Sequence, residues 1–361
     1  MTSQDIVETQ EEAAAQERAP LLVLRPLEAY LDQQGIGSGP IEAQTVGDGH
    51  SNITYVINRG DTEVVLRRPP RPPLPPSAHD VLREARMLTA IENADVRTPK
   101  VLCTCDDESI LGVPFYVMER VDGDVITTEI PEALANPEGR AAISEELVDA
   151  MIEMHAVDWR ACGLEGFGKP TGYLERQLRR FNGLWEHNKT RELPTVQDCA
   201  AWLEKNLPDQ AEATIVHGDF RLGNTMYAHG APARLVAIFD WELCTIGDPL
   251  ADLGYLTITW SDPSDQSKGT MFDQLSITHG EGFPNREGLI ELYMEKSGRS
   301  LNDIRWYQAL ALWKAAVFME GNYKRSLAGT TDDPYLALFG EGVPALADAA
   351  LEITRQPAPG S

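Results

Sequence analysis

From Glu42 to Arg68, and again near Lys100 to Cys105 and Pro114 to Arg120, the pattern of apolar and polar residues is that of strands; after Gly123 apolar residues recur every three or four positions, as on one face of a helix. Glu42 to Arg68 predicts strand, turn, strand, with Gly47-Asp48-Gly49-His50-Ser51-Asn52 as the first turn and Asn58-Arg59-Gly60-Asp61 as the second. Pro69 to Pro76 holds six prolines in eight residues and must leave the sheet, because proline lacks the ladder donor. A stiff connector is expected there, with a polyproline ligand for a partner domain as the other reading. Ser77 is expected to cap a helix through Glu92, striped by Val81, Leu82, Ala85, Leu88 and Ile91. Strands follow near Lys100 to Cys105 and Pro114 to Arg120. Arg140 to Val157, Tyr173 to Asn188 and Gln197 to Asn206 read as long amphipathic helices, and one short β segment reappears between Ala213 and Asp240. Leu21 to Leu31 reads as a short helix. Residues 1 to 20 are rich in Glu, Gln and Ala without apolar periodicity, so they are expected to be a disordered acidic arm. The pattern is thus α+β, with a small antiparallel sheet lobe over 21–122 and a larger, mostly helical lobe over 123–361.

Composition narrows the function. Lys and Arg number 31 against 56 Asp and Glu, a net charge of −25, and the pI is near 4.6. A nucleic-acid binder needs a basic face, and an anionic membrane would repel such a chain, so neither is an expected partner. Cys103, Cys105, Cys162, Cys199 and Cys244 are irregularly spaced and odd in number, which reads as reduced thiols of a cytoplasmic protein. No second cysteine pair or histidine cluster completes a zinc set. The acidic start of the chain does not read as a secretory signal, and no apolar run approaches the ~20 residues of a spanning helix.

Ile215-Val216-His217-Gly218-Asp219-Phe220-Arg221-Leu222-Gly223-Asn224 places an acid and an amide five residues apart at the end of an apolar strand. A second strand, Thr225 to Ala228, turns around His229 to Ala233 and returns through Leu235 to Phe239 to Asp240. A hairpin of that length is expected to bring Asp240 back toward Asn224. Amide and carboxylate oxygens suit Mg²⁺, which retains waters and uses substrate phosphates to complete its octahedron. A neighbouring carboxylate that does not bind the metal, Asp219, can orient a hydroxyl and accept its proton, as phosphoryl transfer to an alcohol requires.

His-Gly-Asp-x-x-x-x-Asn, followed by an apolar strand ending in Asp and then by Asp248-Pro249-Leu250-Ala251-Asp252-Leu253-Gly254, resembles the aminoglycoside phosphotransferase and choline kinase family, the small-molecule branch of the protein-kinase-like fold. The resemblance runs from about Ile41 to Gly329. It implies a two-lobed fold with ATP and Mg²⁺ as cofactors, 21–122 as the nucleotide-binding lobe, Asp219 as catalytic base, and Asn224 and Asp240 as metal ligands. It also implies that Ser51 and Asn52 offer donors to ATP phosphates, that Val65 lines the adenine, and that the backbones of Glu119 and Val121 bond its edge. Arg67 stands where most relatives carry lysine, with Glu84 as its carboxylate partner; a surface acid among Arg83 and Arg86 is the other reading of Glu84. His217 is expected to hold the loop by bonding backbone, Asp252 to brace it, and His155 to be a bonded core residue. Arg221 could meet the transferred phosphate or solvate its loop.

Leu66-Arg67-Arg68-Pro69-Pro70, Pro114-Phe115-Tyr116-Val117-Met118-Glu119 and Gly321-Asn322-Tyr323-Lys324-Arg325 are similar to the kinase-like domains linked to acyl-CoA dehydrogenases. That resemblance implies a hydroxyacyl acceptor, free or as its CoA thioester. Such an acceptor is anionic, so a local basic cluster is required, with Arg71, Lys314, Lys324 and Arg325 as candidates; charge at a distance is screened within ~8 Å. An aminoglycoside or aminoalcohol acceptor is the alternative, and a catalytically silent nucleotide-binding module, favoured by Arg67, is the rival from another class. Hydrolysis at His217-Gly218-Asp219 lacks the further histidines such metal sites gather. The expected partners are therefore ATP and a small-molecule hydroxyl substrate, with a homodimer left open.

Overall fold

A computed structural model describes residues 5–47, 52–72, 79–210, 212–262, 276–329 and 334–356. The chain divides into two compact units, 1–94 with 98–122 and 239–242, and 95–97 with 123–238 and 243–361. Among the described residues no helix is long and apolar enough to cross a membrane, and all five cysteines are free thiols.

The first unit opens with β1 (Ile6–Val7), α1 (Gln10–Ala14), β2 (Leu22–Val23) and α2 (Leu24–Gln33). This corrects the expectation of a disordered arm for residues 5–20; residues 1–4 of that expected arm lie outside the described residues. Ile6 and Val7 pair in parallel with Leu22 and Val23, the Leu21 N–H donates to the Asp5 carbonyl at 2.7 Å, and Val7 joins the buried cluster with Leu22, Leu27 and Leu31. Two apolar residues suffice because their partners lie outside the segment. The expected helix from Leu21 correspondingly starts at Leu24, its first residues being taken by β2.

The sheet is built from β3 (Glu42–Val46), β4 (Ile53–Arg59), β5 (Thr62–Arg68), β6 (Val101–Cys105) and β7 (Phe115–Glu119), in the order β3-β4-β5-β7-β6 with antiparallel neighbours. The β4–β5 connection needs Gly60, whose φ of +58° is a left-handed conformation that a side chain would strain. Period-two alternation buries Tyr55, Ile57, Val64 and Leu66 on one face and leaves Val65 and Arg67 half-buried on the other. Between β5 and β6 lies α3 (Val81–Ala90), and between β6 and β7 the short α4 (Glu108–Leu111). The cap of α3 is Asp80, whose side chain accepts from the Arg83 N–H at 3.0 Å; Ser77, expected in that role, lies outside the described residues, as do Pro73 to Pro76 of the connector.

The second unit contains β8 (Asp124–Val125), α5 (Pro137–Ala156), α6 (Tyr173–Asn188), α7 (Pro194–Lys205), β9 (Thr214–Val216), β10 (Thr225–Tyr227), β11 (Leu235–Ile238), β12 (Thr245–Gly247), α8 (Leu250–Thr259), α9 (Arg286–Ser297), α10 (Ile304–Leu327) and α11 (Phe339–Arg355). Helix α10 packs against α6, α7, α8 and α11. That many neighbours explains why Trp306, Leu310, Trp313 and Val317 are all core. The β10–β11 hairpin forms with Thr225 opposite Ile238, β8 adds to β10, and β9 pairs with β12. Phe239–Glu242, read from sequence as part of the helical lobe, groups instead with the first unit, where the Asp240 and Glu242 side chains find partners.

Candidate active site

In the first unit Arg67 is the hub. It sits on β5 opposite Thr54 of β4 and Tyr116 of β7, so the pleat places all three on one face. Its Nε donates to Glu84 Oε2 at 2.9 Å, Nη1 to the Thr54 hydroxyl at 3.2 Å and Nη2 to Asp240 Oδ1 at 2.5 Å. Burial penalises the Arg67 cation, but Glu84, Tyr116 and Asp240 outweigh it and hold its pKa above the ordinary value. Glu84, 2% exposed, is no surface acid. Tyr116 is buried and hydrogen-bonded to Glu84; burial first, then the Glu84 charge, raises its phenol well above the usual range, so it stays neutral. Asp240 adopts φ +66°, a left-handed backbone that a non-glycine residue holds only where its surroundings impose it. Three directed bonds from one planar fork explain why an arginine fits: a lysine ammonium is a point charge and cannot hold two carboxylates in fixed directions as this fork does.

The other nucleotide candidates of this unit fare differently. Ser51 lies outside the described residues. Asn52 is buried, its amide donating to Glu242 Oε2 at 3.2 Å and its Oδ1 meeting His79 Nδ1 at 3.2 Å, so its side chain is already bonded. Val65 is half-buried on the Arg67 face. The Glu119 N–H, a candidate for the adenine edge, already donates to the Lys100 carbonyl at 2.9 Å, and Val121 lies just past the end of β7.

In the second unit β9 ends at Val216 and the polar loop begins. Asp252, fully buried in the first turn of α8, accepts the His217 N–H at Oδ2 and the Gly218 N–H at Oδ1, both at 2.7 Å. His155 Nε2 meets Asp252 Oδ2 at 3.2 Å, and its Nδ1 meets the Tyr293 hydroxyl at 3.0 Å; burial lowers the His155 pKa and keeps it neutral. Gly218 is obligatory: φ is +87°, and a Cβ would stand 2.9 Å from the Leu243 backbone carbonyl. The buried His217 ring accepts the Asp219 N–H at Nδ1, 3.2 Å away. Asn224 then donates both amide hydrogens to Asp219, to its carbonyl at 2.8 Å and to Oδ2 at 2.7 Å. This fixes Asp219 through one carboxylate oxygen. The other, Oδ1, has the Arg221 Nε at 3.7 Å.

Sequence reasoning missed Thr54, Tyr116 and Glu242. The first two are local to nothing but the strand register; period-two spacing carries their signal only once Arg67 is aligned with its cross-strand neighbours. Among the described residues no group of three or more His, Cys, Asp or Glu could hold a metal by itself. Each unit by itself offers a hard oxygen donor of the kind a divalent ion takes: in the second, Oδ1 of Asn224, left over once its amide nitrogen is committed, and in the first, the Asp240 carboxylate, which Arg67 holds.

The sequence profile of the phosphotransferase enzyme family matches residues 42–286. Mouse acyl-CoA dehydrogenase family member 10 is 34% identical over 87% of this chain, and human acyl-CoA dehydrogenase family member 11 is 33% identical over 92% of it. The chain spans only 29% and 43% of those two proteins, less than half of either. Among solved structures, a Ralstonia eutropha protein provisionally described as an aminoglycoside phosphotransferase superposes with a TM-score of 0.77 at 29% identity, covering 91% of this chain and 97% of its own. Two more distant structures share the protein-kinase-like fold. One is the aminoglycoside phosphotransferase APH(4)-Ia in complex with AMP-PNP and hygromycin B, with TM-score 0.60 and 15% identity over 92% of this chain and 100% of its own. The other is Plasmodium vivax ethanolamine kinase, with TM-score 0.59 and 12% identity over 87% of this chain and 83% of its own. A His-Gly-Asp loop carrying its asparagine five residues on, on an α+β chain with one small antiparallel sheet unit and one mostly helical unit, accords with these matches: the chain belongs to the phosphotransferase enzyme family.

Proposed function

We propose that the protein transfers the γ-phosphate of ATP, with Mg²⁺, to the hydroxyl of a small hydroxyacyl compound or its CoA thioester. The observation that carries this reading is the held carboxylate of Asp219. Asn224 ties its Oδ2 at 2.7 Å, and Asp252 secures the loop backbone before it. Oδ1 is thereby aimed and available to accept the proton of an acceptor hydroxyl, a role worth roughly 10²–10⁴ in rate. Asn224 and Asp240 are the residues assigned to the metal, and Arg67, held by Glu84, is assigned to positioning the phosphates. Bound Mg·ATP supplies the transferable phosphoryl group and neutralises charge as it shifts toward the bridging oxygen. Orientation by Asp219 and charge stabilisation by Arg67 are what this chain's own residues contribute.

The acceptor class rests on the relatives: those that match nearly all of this chain are named as acyl-CoA dehydrogenase family members. In the second unit Arg221, which approaches Asp219, lines a cavity of about 40 Å³ with Ile126, Thr127, Leu256 and Trp260, room for no more than a few water molecules. A cationic acceptor is the second reading, favoured by the net charge of −25 and by the names of the structural neighbours.

The test is incubation of the full chain with ATP, Mg²⁺ and a panel of hydroxyacyl-CoAs, the matching hydroxyacids, ethanolamine and an aminoglycoside, following ADP release and the mass gain of one phosphoryl group. Phosphorylated hydroxyacyl product is the expected outcome. Turnover confined to the amines moves the assignment to the second reading, and no turnover on any acceptor overturns both. Asp240→Ala should lose turnover while keeping its circular dichroism spectrum; an active variant removes Asp240 from the assignment.

A further inference from the structure

The local basic cluster that an anionic ligand needs can be sought among the candidates from sequence. Arg71 is committed to Asp5 and to the Ala19 carbonyl. Lys324, exposed near the end of α10, donates to the His187 carbonyl at 2.5 Å, and Arg325 is exposed on the same last turn. Lys314 differs. It is half-buried in the middle of α10, with its ammonium 4.9 Å from the centre of the Phe181 ring on α6. The Arg180 guanidinium, from the adjacent position on α6, lies 6.0 Å from the same ring.

Neither cation has a hydrogen bond or an ion pair among the described residues. The carboxylate whose charge reaches Lys314 is Asp252, and Asp252 already accepts from His217, Gly218 and His155. Two like charges have thus been brought to one ring with no ion-pair partner among the described residues, the buried Asp252 carboxylate acting on Lys314 only at a distance, in a chain that carries an excess of carboxylates. A cation over an aromatic face gains about 0.5–2 kcal/mol, which accounts for one of them at Phe181 but not for their mutual repulsion or for the partial desolvation of Lys314. An arginine fork beside a lysine point charge is the pairing that matches a planar or tetrahedral oxyanion.

We propose that Lys314 and Arg180, on either helix of the α6–α10 pair, form a binding site for an anionic group, a carboxylate or a phosphate monoester. The anion is either the acidic group of the phosphoryl acceptor, in which case the inference rests on the proposed transfer reaction, or a free inorganic anion. Burial, reinforced by Arg180, lowers the Lys314 pKa to about 8, so the ammonium is still the main form at neutral pH.

Inorganic phosphate is the probe, titrated calorimetrically into the full chain without nucleotide at matched ionic strength. Wild type should bind it at least about ten-fold more tightly than Lys314→Met or Arg180→Gln, with Lys314→Arg close to wild type. Equal affinity in all four proteins, or no binding by wild type, overturns the proposal. Lys314→Met keeps the volume and removes an unpartnered charge, so it should melt no lower than wild type; if it does melt lower, the exposed Arg180→Gln carries the comparison. Acceptor kinetics separate the two sources. A raised KM for an acidic acceptor in Lys314→Met, with the KM for ATP unchanged, assigns the anion to the acceptor; an unchanged acceptor KM with weakened phosphate binding assigns it to a free anion. Absence of all turnover would refute the transfer reading and leave the phosphate titration intact.

Discussion

At the scale of single residues, the informative departure is Arg67. The guanidinium joins Glu84, Thr54 and Asp240 in three separate directions, and a lysine at the same place could reach at most part of that set. Arg67→Lys is therefore expected to keep nucleotide turnover at about a tenth of wild type or less, and Arg67→Met to lose it; ADP release measures both. An Arg67→Lys enzyme as fast as wild type would show that only the charge matters. Asp219→Asn preserves the hydrogen bond geometry with Asn224 while removing the proton acceptor, so kcat should fall by roughly 10²–10⁴ with the KM for ATP little changed. A small change in kcat would take the base role away from Asp219. The motif that points to Asp219 and Asn224 was readable from sequence because its parts are five residues apart. Thr54 and Tyr116 were not, since only cross-strand register makes them neighbours of Arg67.

At the scale of elements, the cap of α3 matters beyond its own helix, because this helix carries Glu84. Asp80 supplies the cap through the Arg83 N–H, and Asp80→Ala should cost about 1 kcal/mol in denaturant unfolding. It should also reduce turnover through looser placement of Glu84. A variant of unchanged stability would mean that packing of Val81, Ala85 and Leu88 alone sets the start of α3. Residues 5–20 were less legible. Thr9-Gln10-Glu11-Glu12 is a helix-start signature, and Thr9 does accept the Glu12 N–H at 3.3 Å. The strand Ile6–Val7 had no such mark: two apolar residues among acids become a strand only because Leu22 and Val23 complete the ladder.

At the scale of the whole molecule, the excess of carboxylates sets solubility and repulsion, and individual buried cations set its response to alkali. Burial, with Arg180 adding to it and Asp252 opposing, moves Lys314 from 10.5 to about 8 in the folded state. Between those values the unfolded chain holds a proton that the folded chain has released, so the contribution of Lys314 to stability rises with pH across that window. Below about pH 8 both states are protonated and the folded state bears the full penalty of the charged amine. The difference in melting temperature between wild type and Lys314→Met, followed from pH 7 to 10.5, should accordingly shift in favour of wild type as pH rises. A difference that stays constant would show that the Lys314 ammonium is as well solvated folded as unfolded.

Short-range periodicity and fixed spacing write out the order of a sheet-rich segment and a helical one, the His217-to-Asn224 loop and the place of Arg67. What those residues touch follows from the folding of distant segments. Folding joined β1 to β2, gave Arg67 its fork of partners, grouped Asp240 with the first unit and left Lys314 and Arg180 on one ring without an ion-pair partner among the described residues. All of these depend on which distant segments meet, and on which charges remain once burial and register have assigned the rest.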